Sequence, residues 1–153
     1  MSTDSPKGYR ERLWPSPWLM IALLLLIPAT IMTVTPIASS IAVPVAIAVY
    51  VLIAGSLMLM APVLDVSAGR LKAGSAEVPV SALGEVTLLD DAALRRTIGP
   101  GADARAYLMV RGYIHRGLRV EIVDDQDPTP YWVLTTRRPQ ALAAALEAAK
   151  EAR

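Results

Sequence analysis

The chain of 153 residues contains no Cys, no Phe and a single His. Without Cys it cannot form a disulfide framework, a cysteine zinc finger, an iron–sulfur cluster or a cysteine nucleophile. A formal net charge of +1 creates no field that would attract nucleic acid, so we expect no nucleic-acid partner. These absences exclude several chemical classes, and the distribution of the remaining residues becomes the informative feature.

Charge is also absent from a long stretch of the chain. The 52 residues from 13 to 64 include no Asp, Glu, Lys or Arg, whereas residues 65–153 contain 12 acidic and 12 basic side chains. An ordinary soluble domain does not segregate its charges in this way, and about 20 apolar residues suffice for a helix to cross a bilayer. We therefore interpret the chain as an integral membrane protein that carries one charged domain.

Two apolar segments, residues 18–34 and 41–62, are separated by a short uncharged linker. Each Leu, Ile or Val in them favours insertion by about 0.3–0.6 kcal/mol. We predict a transmembrane helical hairpin over residues 17–64, with the lipid bilayer as its first partner. Kinks are expected at Pro28 and Pro44, because proline removes a helical hydrogen bond.

Two tryptophans, Trp14 and Trp18, stand where the first helix would enter the headgroup layer. Aromatic side chains concentrate at this level of the bilayer, because their rings are amphipathic. We therefore expect both residues to anchor the hairpin at the membrane interface.

The basic residues that flank the hairpin are Lys7, Arg10, Arg12, Arg70 and Lys72. Since the connecting loop is uncharged, the positive-inside rule predicts a multi-pass protein of the cell (plasma) membrane with both termini in the cytoplasm. Residues 1–16 then form a cytoplasmic N-terminal segment, and residues 65–153 form a cytoplasmic domain. A cleaved signal peptide is the alternative, and it would leave that domain on the same side.

The cytoplasmic domain has the pattern of short strands followed by an amphipathic helix. Strands are predicted at residues 63–66, 70–73, 77–80, 84–89, 107–114, 118–123 and 131–136. The clearest pair is expected to join residues 107–114 to residues 118–123. A short helix is expected at residues 91–98, capped by Asp90, and the last helix begins at Pro139. The predicted fold class is α+β: the hairpin, then a small antiparallel β split barrel with a C-terminal helix, which resembles the pleckstrin-homology-like fold.

Four sequence runs carry a closer resemblance: Tyr9–Trp14 (YRERLW), Val78–Val86 (VPVSALGEV), Asp127–Trp132 (DPTPYW) and Thr135–Pro139 (TTRRP). In these runs, and over nearly its whole length, the chain resembles an actinobacterial family of two-span membrane proteins of unknown function. The resemblance implies a pleckstrin-homology-like cytoplasmic domain after the spans. It implies no activity.

Motifs for enzymatic chemistry are missing. His115 has no Cys to pair with, and no Ser lies in a nucleophile elbow. Asp124, Asp125 and Asp127 are close in sequence, but Thr129 occupies the place where a calcium loop needs Gly, so a solvated turn is the better interpretation. We expect no catalytic residue, no cofactor, no metal site and no enzyme activity.

The candidate interaction residues are Arg111, Arg137, Arg138, Asp127, Tyr131 and Trp132. Arginines close to an anionic leaflet gain binding energy, although the acidic residues of the domain balance their charge. Tyr131 and Trp132 point to opposite faces of a strand, and either could anchor a partner. Because a domain without Phe needs its large rings for burial, we expect Trp132 to lie in the core.

Three functions are compatible with this pattern. The leading hypothesis is a non-catalytic adaptor that presents the domain to a membrane or cytoplasmic protein. The second is a module that recognises anionic lipids through its arginines. The third is an accessory subunit of a larger membrane complex, held through the spans, where Ala54, Gly55 and Ser56 permit close helix approach.

Overall fold

The computed structural model of the protein describes residues 8–152, so Lys7, one of the residues that set the expected orientation, lies outside the described part. The described chain forms two compact units. One comprises residues 14–61, and the other comprises residues 8–13 together with residues 62–152. Residues 8–13 of the expected N-terminal segment therefore belong to the charged domain, and residues 14–16 belong to the apolar unit.

The first unit is an apolar hairpin of three helices: α1 (Pro17–Leu24), α2 (Leu26–Val34) and α3 (Ala42–Leu59). The α1–α2 stretch and α3 with its preceding 3₁₀ turn are each long and apolar enough to cross a membrane, as judged by length and composition. The α3 helix packs against α1 and α2, and the residues it buries are alanines: Ala42, Ala46 and Ala54. The two predicted apolar helices are thus confirmed.

The proline effects differ between the two helices. Pro28 has no N–H to donate to the carbonyl of Leu24, and the helix is interrupted at Leu25, between α1 and α2. Pro44 instead lies in the first turn of α3, where the N–H groups have no helical partner, and α3 continues without a break. The interruption near Pro28 agrees with the kink expected there, whereas α3 runs through Pro44 without the interruption that was expected.

The second unit, the charged domain, begins with a four-stranded antiparallel sheet in the order β1-β2-β3-β4. Its strands are β1 (Tyr9–Arg12), β2 (Val63–Ser67), β3 (Arg70–Ala73) and β4 (Ala76–Pro79). Ala68 and Gly69 both have positive φ, as a two-residue turn between twisted strands requires. The predicted β2–β3 hairpin is confirmed, whereas β1 was not predicted.

The β1 strand joins the residues on either side of the apolar hairpin. Tyr9 pairs with Val66 and Arg12 with Val63, and the backbone N–H of Leu13 donates to the carbonyl of Pro62 at 2.9 Å. The strand that precedes the hairpin, β1, and the strand that follows it, β2, are therefore neighbours in one sheet.

The second sheet has the strand order β5-β7-β8-β6. The elements of this part are β5 (Leu83–Leu89), α4 (Asp91–Ile98), β6 (Tyr107–Met109), β7 (Gly117–Ile122), β8 (Tyr131–Thr135) and α5 (Pro139–Glu151). The predicted pairing of residues 107–114 with 118–123 is wrong. The β6 strand pairs in parallel with β8, while β5 pairs with β7. The strand ends at Met109 because the N–H of Arg111 donates to the hydroxyl of Thr135 instead of to a strand partner.

The main core lies where α5 packs against strands of both sheets. Leu142 and Leu146 of α5 are fully buried in it, and each such side chain stabilises the fold by about 1.5–3 kcal/mol. A smaller cluster packs α4 against the second sheet through Leu94. The domain is thus a mixed α+β fold, as predicted, but its sheets are not entirely antiparallel.

Candidate interaction site

The two aromatic candidates on β8 are both buried. Trp132 lies in the main core, with its ring centroid 4.7 Å from that of Tyr107. Tyr131 points to the smaller cluster, and its hydroxyl accepts the N–H of Asp103 at 2.8 Å. Because both rings are buried, neither is accessible to a partner in this structure.

Asp127 stabilises the turn that leads into β8. Its carboxylate accepts the backbone N–H of Thr129 at 2.9 Å, and hydrogen bonding to Thr129 holds the pKa of Asp127 below its ordinary value. The carboxylate of Asp124 accepts the N–H of Gln126 in the same way. Between residues 8 and 152, no group of three His, Asp or Glu side chains is placed to hold a metal ion.

The three arginine candidates gather at the C-terminal end of β8. The backbone of Arg111 meets Thr135, and Arg137 and Arg138 follow Thr136 in sequence. Asp127 and Tyr131 lie near the opposite end of this strand. The structure therefore brings the arginines together and separates them from the other candidates.

A buried carboxylate lies beside these arginines. Glu11 on β1 is only 7% exposed, and it is the one buried charged side chain of the described chain. It accepts hydrogen bonds from the hydroxyl of Tyr9 at 2.6 Å, from the hydroxyl of Thr136, and from the N–H of Arg137 at 3.1 Å. We call Tyr9, Glu11, Thr136 and Arg137 the Glu11 cluster.

The electrostatics of the Glu11 cluster favour a protonated Tyr9. Burial, together with the hydrogen bond to the Glu11 carboxylate, raises the pKa of Tyr9 from its ordinary value of 10 to about 12. Both effects disfavour the phenolate, which would lie next to a negative charge. The tyrosine therefore acts as a fixed donor that helps to hold Glu11 inside the domain.

The sequence contained a signal for this cluster. Along residues 9–13, Tyr9, Glu11 and Leu13 alternate with two arginines, as in a strand with one buried face. The pattern was missed because the segment precedes an apolar helix and has no neighbouring strand in sequence. Its partner, β2, comes only after the hairpin.

An open groove of about 400 Å³ adjoins the cluster. We call it the basic groove, and it is lined by Tyr113, Ile114, His115, Arg116 and Arg137. The hydroxyl of Tyr113 donates to the carbonyl of Leu13 at 3.1 Å, and the guanidinium of Arg137 lies 6.0 Å from the Tyr113 ring centroid. Two guanidinium groups therefore border a surface that no carboxylate lines.

A second open groove of about 330 Å³ shares one arginine with the first. It is lined by Leu88, Leu89, Asp90, Ala93, Arg116, Pro139 and Gln140. Arg116 was not among the candidate interaction residues. Arg116 lies in the loop between β6 and β7, and the course of this loop follows from the parallel pairing of β6 with β8. No local sequence pattern predicts that pairing.

The two proposed interface residues belong to the apolar unit. Trp14 is 47% exposed and Trp18 is 76% exposed. Trp18 lies in the first turn of α1, while Trp14 precedes the helix. Both rings are thus accessible on the surface of the apolar unit, as the anchoring role expected for them requires.

The comparisons with known proteins give one match to a family. A family described as a protein of unknown function (DUF3093) matches residues 8–146. This range includes both apolar helices and almost the whole charged domain. No curated protein and no solved structure matches the chain.

Proposed function

The chain belongs to the DUF3093 family of unknown function, and we propose that it is a plasma-membrane protein that acts as a non-catalytic adaptor. In this proposal, the apolar hairpin crosses the bilayer and the charged domain lies in the cytoplasm. The domain has a pleckstrin-homology-like architecture, supported by two small sheets and a C-terminal helix that packs on both. It presents a surface there to a protein partner.

Insertion is supported by the surface of the hairpin. Its helices carry no charge, and large apolar side chains such as Leu25, Met32 and Leu59 are more than two-thirds exposed. In water, this apolar surface would cost about 25 cal/mol for each Å². A lipid environment removes that cost, and helices satisfy their own backbone hydrogen bonds there.

Orientation is supported by the flanking charges within the described chain. Arg10 and Arg12 precede α1, Arg70 and Lys72 follow α3, and the α2–α3 connection has no charge. Cytoplasmic flanks of membrane helices are enriched in such basic residues. Both ends of the hairpin are therefore assigned to the cytoplasm.

The adaptor role rests chiefly on the bond between Leu13 and Pro62. Because β1 and β2 pair directly, the chain enters and leaves the hairpin through two adjacent strands of the domain. A hairpin that crosses the bilayer would then connect to the domain at both of its ends. The carboxylate of Glu11 is buried and accepts three hydrogen bonds from the domain itself, so we assign it a structural role.

The partner surface is proposed at the edge strand β5. Leu88 is a half-exposed apolar residue on this strand and lines the second groove. Exposed strand edges are common sites for partner binding. The accessory-subunit alternative would instead use α3, where the side of Gly55 is open and a Cβ placed there would meet no atom within 4 Å.

A photoreactive amino acid introduced into the full-length protein in native membranes can test the proposal. At Leu88, it should form an adduct with one protein, and that protein should leave the membrane fraction of cells that lack the chain. The same probe at Gln126, in the exposed turn before β8, is the matched control. Adducts formed only from Gly55 would favour the accessory subunit, and no specific adduct from either position would refute both.

A further inference from the structure

We infer that the edge of β5 is complementary to itself, and that two copies of the chain pair there as antiparallel strands. This inference rests on the proposed function for the surface concerned and adds a regulation of that surface. A second copy and a protein partner would occupy the same edge, so the dimer is the form in which the partner surface is closed.

The register of β5 directs the backbone of two of its residues away from the sheet. The N–H of Ile122 donates to the carbonyl of Pro130, so the even-numbered residues of β7 hydrogen-bond to the β8 side and the odd-numbered ones face β5. Val86 and Leu88 are opposite even-numbered residues of β7. Their backbone N–H and C=O groups therefore point outward from the edge of the sheet.

The other edge strands of the two sheets, β1, β4 and β6, have features that disfavour the addition of a strand. The β1 strand exposes Arg10 and Arg12, and β6 is only three residues long. In β4, Pro79 has no N–H to donate. Charged, proline-containing and very short edges resist pairing with another chain, whereas β5 has apolar residues at its outward positions. The edge of β5 is therefore the one best suited to receive a strand.

A two-fold axis at Thr87 satisfies both outward residues of β5 at once. Antiparallel pairing about this axis places Val86 opposite Leu88 of the second copy, and Leu88 opposite Val86 of the second copy. Each outward N–H then meets a C=O of the other chain. Thr87 is exposed and would face its own equivalent, and paired threonines stabilise antiparallel strands.

The charges at the two ends of β5 are complementary in this register. Glu85 is exposed near the start of the strand, and Arg116 lies beside Leu89 at its end, where it lines the second groove. The pairing places Glu85 opposite Leu89 of the second copy, whose Arg116 is one strand further away. Two strand spacings are about 10 Å, which a glutamate and an arginine side chain can span together. Each copy would thus contribute both partners of an ion pair.

The pairing is limited to the middle and the end of β5. The carbonyl of Gly84 accepts a hydrogen bond from the Lys150 ammonium at 2.7 Å, so a side chain of α5 already occupies this end of the edge. At the other end, Asp90 caps α4 directly after the strand. A ladder this short gives a small interface, and small interfaces form weak dimers that a partner can displace.

The register can be tested with a single introduced thiol in the full-length protein in neutral detergent. Residues that face each other in a non-hydrogen-bonded antiparallel pair have Cα atoms about 4.5 Å apart, which a disulfide can bridge. Because the chain has no Cys, Thr87→Cys should give a disulfide-linked dimer under a mild oxidant. The matched control is Ser75→Cys, in the exposed turn between β3 and β4, which should remain largely monomeric.

Charge reversal tests the pairing of Glu85 with Arg116. Glu85→Arg and Arg116→Glu should each weaken the dimer about tenfold or more, because each brings like charges together. A mixture of the two variants should form a mixed dimer with both opposite-charge contacts restored, which native mass spectrometry separates from either homodimer. Arg96→Glu, on the exposed side of α4, is the control and should match the parent. Melting temperatures identify a variant that fails to fold, and the Thr87→Cys disulfide then decides.

Two results would overturn the inference. Thr87→Cys may form no more disulfide dimer than Ser75→Cys, or the dimer may resist both charge reversals, which would indicate association through the apolar hairpin. The purified protein contains no other partner, so neither result bears on the adduct that Leu88 should form with another protein in native membranes. A Leu88 adduct formed only with a second copy would support the dimer and refute the adaptor.

Discussion

The carboxylate of Glu11 accepts a hydrogen bond from the hydroxyl of Thr136, a residue 125 positions further along the chain. Glu11 belongs to the strand that precedes the apolar hairpin, and Thr136 follows the last strand of the second sheet. Both residues are buried. This bond therefore connects the two sheets at the point where the domain meets the chain that enters the hairpin.

Replacing Glu11 by Gln should destabilise the domain by about 1–3 kcal/mol. The amide group would place an N–H₂ among the donors that now face a carboxylate, and a buried donor without an acceptor has a cost of this size. Denaturant unfolding of the full-length protein in detergent measures the change. Glu77→Gln is the control, because Glu77 forms an exposed pair with Arg70 and should change stability by less than about 1 kcal/mol. Equal effects of the two substitutions would contradict the structural role of Glu11.

Stability should fall as the pH rises from about 10 to about 12. The pKa of Tyr9 is raised to about 12 in the folded protein, whereas an unfolded tyrosine has a pKa near 10. The stabilisation is therefore complete below pH 10 and is lost as the pH passes through the folded value. Tyr9→Phe cannot ionise, so it should be less stable at neutral pH and lack this part of the alkaline decrease. Unfolding curves at pH 9 and pH 11.5 compare the two proteins, and parallel decreases would exclude Tyr9 as the source.

Trp132→Ala should destabilise the domain by about 3–5 kcal/mol, because it empties a large volume in the main core beside Tyr107. Trp18→Ala removes an equally large side chain from an exposed position of α1 and should leave the unfolding of the domain unchanged. Thermal unfolding followed by far-ultraviolet circular dichroism measures both variants, since Trp132 is the only tryptophan of the domain and its fluorescence is lost in the first variant. A Trp132→Ala protein that melts like the parent would contradict the packing described for β8.

Gly117→Ala should be destabilising by about 1–3 kcal/mol, the usual range for overpacking. The first residue of β7 lies against the backbone of β8, and an added Cβ would clash with the carbonyl oxygen of Leu134. Gly112→Ala is the control, since a Cβ there would meet no atom within 4 Å. If the two variants unfold at the same denaturant concentration, the close approach of β7 and β8 is wrong.

Local elements of the fold could be predicted from the sequence because their signals are adjacent in the chain. The α4 helix matches the predicted residues, since Asp90 accepts the N–H of Ala93 at its start and Gly99 follows its end. The pairing of β6 with β8 and of β1 with β2 could not be predicted. In each case the partner lies more than 20 residues away, and no turn between them fixes the register.

Of the residues in the candidate interaction site, the sequence predicted only some of the charged ones. Arg137 and Arg138 stand out in the sequence, and the structure places them at the end of β8. Arg116 and Glu11 acquire their positions from long-range pairing, which brings them next to Thr136. Glu11 on β1, Arg116 before β7 and Thr136 after β8 are distant in sequence, so only the folded structure shows that they are neighbours.

The proposed orientation can be tested because the protein contains no cysteine, so an introduced thiol has no background. Ser39 lies in the exposed 3₁₀ turn between α2 and α3, and Ser75 lies in the exposed turn between β3 and β4. In intact cells, Ser39→Cys should react with a membrane-impermeant maleimide and Ser75→Cys should not. Both should react after the membrane is permeabilised, which shows that each thiol is accessible. Labelling of Ser75→Cys alone in intact cells would reverse the orientation, and labelling of both would mean that the hairpin does not separate the two turns across a bilayer.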